Sequence, residues 1–85
     1  MSDQELKRYI ETHLKVGDSR EKIEEFLNAQ GWPYAFNQFD SRYEARYDAG
    51  AIDKWYETSG VGPRIYVDKQ GRLTRIEIVR LATGI

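Results

Sequence analysis

The chain has 85 residues, room for one domain with one modest core. It has no cysteine, so neither a disulfide framework nor a thiolate metal site can support it, and stability must come from packing its apolar 40%. Thirteen basic residues against fourteen acidic ones leave a net charge of −1, which gives no overall field to hold a phosphate backbone.

The first residues, Met1-Ser2-Asp3-Gln4-Glu5, lack the basic start and apolar run of a signal peptide, and no stretch approaches the roughly 20 apolar residues of a membrane span. A cytoplasmic protein without membrane contact is the expectation. Residues 2–15 then carry Leu6, Tyr9, Ile10, His13 and Leu14 on one stripe of an amphipathic helix. Ser2 and Glu5 are spaced as a capping box, Glu11 and Lys15 as an i,i+4 ion pair, and Gly17 as the stop. A second helix is predicted over 19–30, with Asp18 and Glu21 as another capping box, Ile23, Phe26 and Leu27 on its buried face, and Gly31 just past its end.

Trp32-Pro33 cannot extend that helix, and the pattern changes there from period 3.6 to period 2. Residues 34–39 and 42–47 read as two strands separated by Asp40-Ser41. In the second, Tyr43, Ala45 and Tyr47 alternate with Arg42, Glu44 and Arg46, the signature of a half-buried strand. Residues 64–67 and 73–80 flank Asp68-Lys69-Gln70-Gly71 as a hairpin. Between these pairs, 48–62 holds several glycines and leaves a short helical turn or extra strand near 52–57 as alternatives. The whole predicts one α+β domain over 1–85, with two N-terminal helices packed on one face of a four-stranded antiparallel sheet.

Catalytic constellations are missing from the sequence. His13 lies on a helix stripe, Ser19 fits a first helical turn, and neither Ser41 nor Ser59 sits in a nucleophile elbow. Gly60-Val61-Gly62 is followed by a strand where a phosphate loop needs a helix, and Asp48 and Asp53 are too few for a calcium loop. Glu24 and Glu25 diverge by about 100° on a helix, so they do not share a site. Neither cofactor nor metal is expected, and the chain is expected not to be an enzyme.

A binding surface is indicated instead. Nine of the eleven aromatic residues fall between Trp32 and Tyr66, more than the helices can cover, so one sheet face should stay open. Alternation puts Ile65, Val67, Ile76 and Ile78 under the helices and sends Tyr66, Arg75 and Glu77 to that open face, joined by Arg42, Glu44 and Arg46. With Trp55 and Tyr56 on the adjacent segment, this is the residue mix of an interface hot spot.

Val16-Gly17-Asp18-Ser19 with Ile23, Leu27 and Gly31, followed by Val67-Asp68-Lys69-Gln70-Gly71-Arg72-Leu73 with Ile76, resembles the BamE (SmpA/OmlA) lipoproteins and the repeat unit of the β-lactamase inhibitory protein. The resemblance implies a non-catalytic module presenting its sheet and loops to a protein partner, in envelope assembly or enzyme inhibition. It includes no lipobox cysteine and transfers no functional residue. The first expectation is thus a protein-binding module of inhibitor, immunity or adaptor type, using Trp55, Tyr56, Tyr66, Arg75, Glu77 and Arg46. The runner-up is nucleic-acid binding through Arg64, Lys69, Arg72 and Arg75 with stacking on Tyr66 or Trp55, and a third option is a subunit completing a site in an oligomer.

Overall fold

A computed structural model describes residues 2–47 and 61–80. Helix α1 spans Asp3–His13 and starts on the expected capping box: Ser2 Oγ accepts from Glu5 N–H, and Glu5 accepts from Ser2 N–H. Hydrogen bonding from Ser2, first through its main-chain N–H and then through its side chain, holds the Glu5 carboxyl below the usual carboxylate range. The helix ends earlier than its periodicity implies. Leu14 turns extended to bury its side chain, and Lys15 donates its N–H to the Asp18 carboxylate. Lys15 therefore bonds the Glu11 main-chain carbonyl through Nζ and not its carboxylate.

Helix α2 spans Arg20–Gln30, and here the capping assignment is corrected: Ser19, not Asp18, is the N-cap, accepting from Lys22 N–H. Asp18 is already occupied by Lys15 N–H and by the Lys22 ammonium at 3.6 Å. Gly31 ends the helix at φ 73°, a left-handed conformation that glycine adopts without steric cost.

The strands are β1 (Tyr34–Asn37), β2 (Arg42–Ala45), β3 (Val61–Val67) and β4 (Leu73–Arg80), in one antiparallel sheet of order β1-β2-β3-β4. The fold class matches the sequence reading; the strand ends do not. β1 stops at Asn37 because the Asn37 side chain takes over the turn, and β3 begins at Val61 instead of 64. The paired stretch of β2 and β3 ends at Glu44 and Arg64. The next residue of β3 is Pro63, which has no N–H to donate, and Arg46 N–H bonds Pro33 C=O instead. Between β3 and β4 the register slips at Tyr66/Val67, a bulge filled by Thr74, whose hydroxyl donates to Tyr66 C=O.

The core lies between the helices and one sheet face: Leu6, Ile10 and Leu14 from α1 and its cap, Ile23, Phe26 and Leu27 from α2, and Tyr43, Ala45, Ile65, Val67, Leu73 and Ile76 from the sheet. Ile78 packs against it from the edge. The aromatic residues depart from expectation. Trp32, Tyr34, Phe36 and Tyr47 join the core margin along with buried Tyr43, so these five close the helix side, while Tyr66 lies on the other face and Phe39 in the β1–β2 turn. Trp32 stands edge-on between Phe26 and Tyr47, at 5.7 and 5.3 Å between ring centres. His13 lies exposed on α1, its ring 4.6 Å from that of Tyr9.

Tyr43 joins the two layers. Its ring is fully buried against Tyr34 and Phe36, and its hydroxyl donates to Glu24 Oε2 and accepts from Arg20 Nε at 2.9 Å. The Arg20 guanidinium lies 4.0 Å over the Phe36 ring. Among the described residues no helix is long and apolar enough to cross a membrane.

Two outcomes are expected from this packing. Ile65→Ala removes a side chain with no solvent exposure and should cost about 2 to 5 kcal/mol in urea unfolding, against under about 1 for exposed Arg75→Ala; equal costs would contradict the layer assignment. Burial, and then the Glu24 carboxylate, push the Tyr43 phenol up to about 12, whereas in the unfolded chain it titrates near 10. Its contribution is therefore intact below about pH 10 and declines toward pH 12, because the unfolded chain ionises first. The stability advantage of wild type over Tyr43→Phe should shrink by roughly 1 to 3 kcal/mol between pH 9 and 12; a constant gap would show that Tyr43 titrates alike in both states.

Candidate functional site

The face of the sheet opposite the helices is built by period-2 alternation. Because Tyr43 and Ile65 are buried on the helix side, their neighbours Arg42, Glu44, Arg64 and Tyr66 point the other way. Register aligns these groups in two rows across the strands. One row is Asn37, Arg42, Tyr66 and Arg75; the other is Ala35, Glu44, Arg64 and Glu77.

Tyr66 is the centre of a connected polar network. Its hydroxyl donates to Glu77 Oε1 at 3.1 Å and accepts from Arg42 Nη1 at 3.2 Å. Arg75 lies 3.9 Å over the Tyr66 ring and reaches Glu77 Oε2 at 3.5 Å. Arg42 continues the network, binding Glu44 through Nε at 2.7 Å and Asp40 at 3.4 Å. Asn37 Nδ2 closes it on Glu44 and Asp40 at 3.2 and 3.1 Å. The Arg42 hydrogen bond, followed by that of Asn37, holds the Glu44 carboxyl below its ordinary range. Bonding to Glu44 likewise raises Arg42. The result is an aromatic ring fixed between two guanidinium groups and oriented through its hydroxyl.

Of the residues expected to bind a partner, the structure thus brings Tyr66, Arg75 and Glu77 into direct contact. Arg46 lies apart from them. It is exposed just past β2 and lines a shallow depression of about 340 Å³ with Ala35, Glu44, Ala45, Gly62 and Arg64. Trp55 and Tyr56 fall outside the described residues, as does most of the 48–62 segment; Val61 and Gly62 belong to β3. The basic strip read from the C-terminal sequence is divided: Arg64 and Arg75 are on the open face, while Arg72 turns away to Gly17 C=O at 3.2 Å.

Sequence reasoning missed Phe39. Placed there in a strand, it instead occupies the β1–β2 turn with 99% of its surface exposed. Asn37 Oδ1 accepts from both Phe39 N–H and Asp40 N–H, at 3.0 and 3.1 Å, and Ser41 takes φ 52°. The signal was available in Asn37, a residue that caps turns through its own side chain and so ends a strand early. Among the described residues no three His, Asp or Glu side chains gather as a metal site.

No protein-family model, curated protein or solved structure matches the chain. The functional reading rests on the chemistry of this surface.

Asn37→Ala should cost about 1 to 2 kcal/mol in denaturant unfolding, since it removes a cap on two turn N–H groups together with the bond to Glu44. A variant as stable as wild type would mean that water replaces the cap at no cost.

Proposed function

We propose that the chain is a non-catalytic protein-binding module of inhibitor, immunity or adaptor type that engages its partner with the open face of the sheet and acts in the cytoplasm. The observation that carries this reading is the fixed state of Tyr66, held through its hydroxyl by Arg42 and Glu77 and overlaid by Arg75. Tyrosine and arginine dominate interface hot spots because they bury large area with few rotamers to freeze. Here that freezing has already occurred in the free protein, so association orders little more. A structural cross-strand ladder would also use Arg, Glu and Tyr. Arg75, with 61% of its side chain exposed, sits over the ring on the solvent side and leaves the network's outer surface available for contact.

The resemblance to the BamE and β-lactamase inhibitory protein modules supports the same use of a sheet face. Nucleic-acid binding has weaker support, because Arg72 is directed to the helix linker and the remaining open-face arginines are interleaved with Glu44 and Glu77. Trp55 and Tyr56 belong to the proposal on sequence grounds alone, as does Arg46 at the neighbouring depression.

The test is to purify a protein retained by the immobilised chain and titrate it against wild type, Tyr66→Ala and Arg75→Ala, with circular dichroism as the folding control. Each variant should bind roughly thirtyfold more weakly, equivalent to about 2 kcal/mol, while remaining folded. Unchanged affinity in both would remove the open face from the binding surface. A steep loss of affinity between 50 and 200 mM salt would point to phosphate contacts and to the nucleic-acid reading.

A further inference from the structure

We infer that Phe39 is an insertion anchor: the β1–β2 turn holds its phenyl group out for burial in an apolar pocket of the protein partner. The inference rests on the protein-binding reading above and extends the surface beyond the sheet face to the turn at its end. A singly exposed apolar side chain is ordinary on protein surfaces, so exposure alone carries little weight. Three further features distinguish this one.

The first is the completeness of its exposure: at 99%, the ring makes essentially no packing contact with the described residues. Val16, the other large exposed apolar residue among those described, is an aliphatic side chain at 76%, in the linker between α1 and α2. The second is the stiffness of the support. Hydrogen bonds and an ion pair converge on the four residues between β1 and β2: Asn37 Oδ1 takes Phe39 N–H and Asp40 N–H, Asn37 Nδ2 binds Asp40 Oδ2, Arg42 binds Asp40 Oδ2 at 3.4 Å, and Ser41 C=O accepts from Val67 N–H at 2.9 Å. A loose loop would lose conformational entropy on docking; this one has little left to lose.

The third feature is continuity. Arg42 links the turn to the proposed surface, binding Asp40 on one side and the Tyr66 hydroxyl on the other. Phe39 and Tyr66 are therefore carried on one rigid frame, and a partner that covers Tyr66 extends naturally toward the turn. The charge beside the ring identifies the kind of partner. Asp40 is the nearest charge in sequence and is matched by Arg42, so the phenyl group can enter a pocket with no unpaired charge following it. A lipid surface fits less well, since membrane-inserting aromatics are flanked by free Lys or Arg that meet anionic headgroups. Here the adjacent cation is drawn back onto the sheet.

The experiment compares Phe39→Ala, Phe39→Leu and Tyr66→Ala against the purified partner, by titration, together with thermal melting and sedimentation with phosphatidylcholine vesicles containing phosphatidylserine. Phe39→Ala should weaken binding by about thirtyfold or more, Phe39→Leu should restore most of the loss, and melting should be unchanged, because the ring supports nothing in the free protein. Unchanged affinity for Phe39→Ala beside weakened Tyr66→Ala would overturn the anchor and leave the sheet-face reading standing. Unchanged affinity in both would overturn both, and so would failure of the wild-type chain to retain any protein. A fall in melting temperature for Phe39→Ala would show a packing role and overturn the anchor. Phe39-dependent sedimentation with vesicles would reassign it to a lipid surface.

Discussion

A buried tyrosine hydroxyl organises this fold. Tyr43 has no solvent exposure, so its O–H must find partners inside the protein, and it finds Glu24 and Arg20 on α2. Those bonds fix the rotation of α2 about its own axis and its height above β2. They also put the Arg20 guanidinium on the Phe36 ring, so the first two strands and the second helix are joined at one point. Hydrophobic burial alone is non-directional and would tolerate sliding of the layers. The hydrogen-bonded tyrosine removes that freedom.

The same residue determines the candidate surface. A strand places successive side chains on opposite faces, so inserting Tyr43 into the core commits Arg42 and Glu44 to the other side. Cross-strand register then brings Tyr66 and Arg75 into line with Arg42, and Arg64 and Glu77 into line with Glu44. Acidic and basic groups alternate closely enough that each carboxylate on this face has a cationic or amide donor. The face is consequently held together by its own bonds. On the proposed binding reading, its specificity would come from the pattern of charge around one aromatic ring, not from net charge, which is nearly zero for the chain as a whole.

Much of this was legible in the sequence because period reports face directly. The spacing of Leu6, Ile10 and Leu14 gave the buried stripe of α1, and alternation along 42–47 and 73–80 assigned Arg42, Glu44, Arg75 and Glu77 to their side. What failed were statements that depend on competition between partners. Asp18 and Ser19 are both good caps, and only the three-dimensional position of Lys15 and Lys22 decides which is used. The aromatic surplus was overstated, though Tyr66 does lie on the open face, because a side-chain count ignores that Trp32 and Tyr47 can stack edge-on and close the helix side themselves. Phe39 was misplaced because a side-chain cap ended β1 earlier than strand propensity implied.

The linker between the helices has its own bonding requirement. Gly17 N–H bonds Leu73 C=O, Leu73 N–H bonds Asp18 C=O, and Arg72 reaches Gly17 C=O across 55 positions of chain. Gly71 leaves room for this at φ 78°, where an added methyl would press on the Arg20 stem at 3.1 Å. The segment that separates α1 from α2 thus shares main-chain hydrogen bonds with Leu73, the first residue of β4. The turn that connects the helices therefore reaches its folded bonding only when the start of β4 is in place. Helix linker and sheet edge thus stabilise each other, so loosening β4 at Leu73 should also release the turn that sets the two helices against one another.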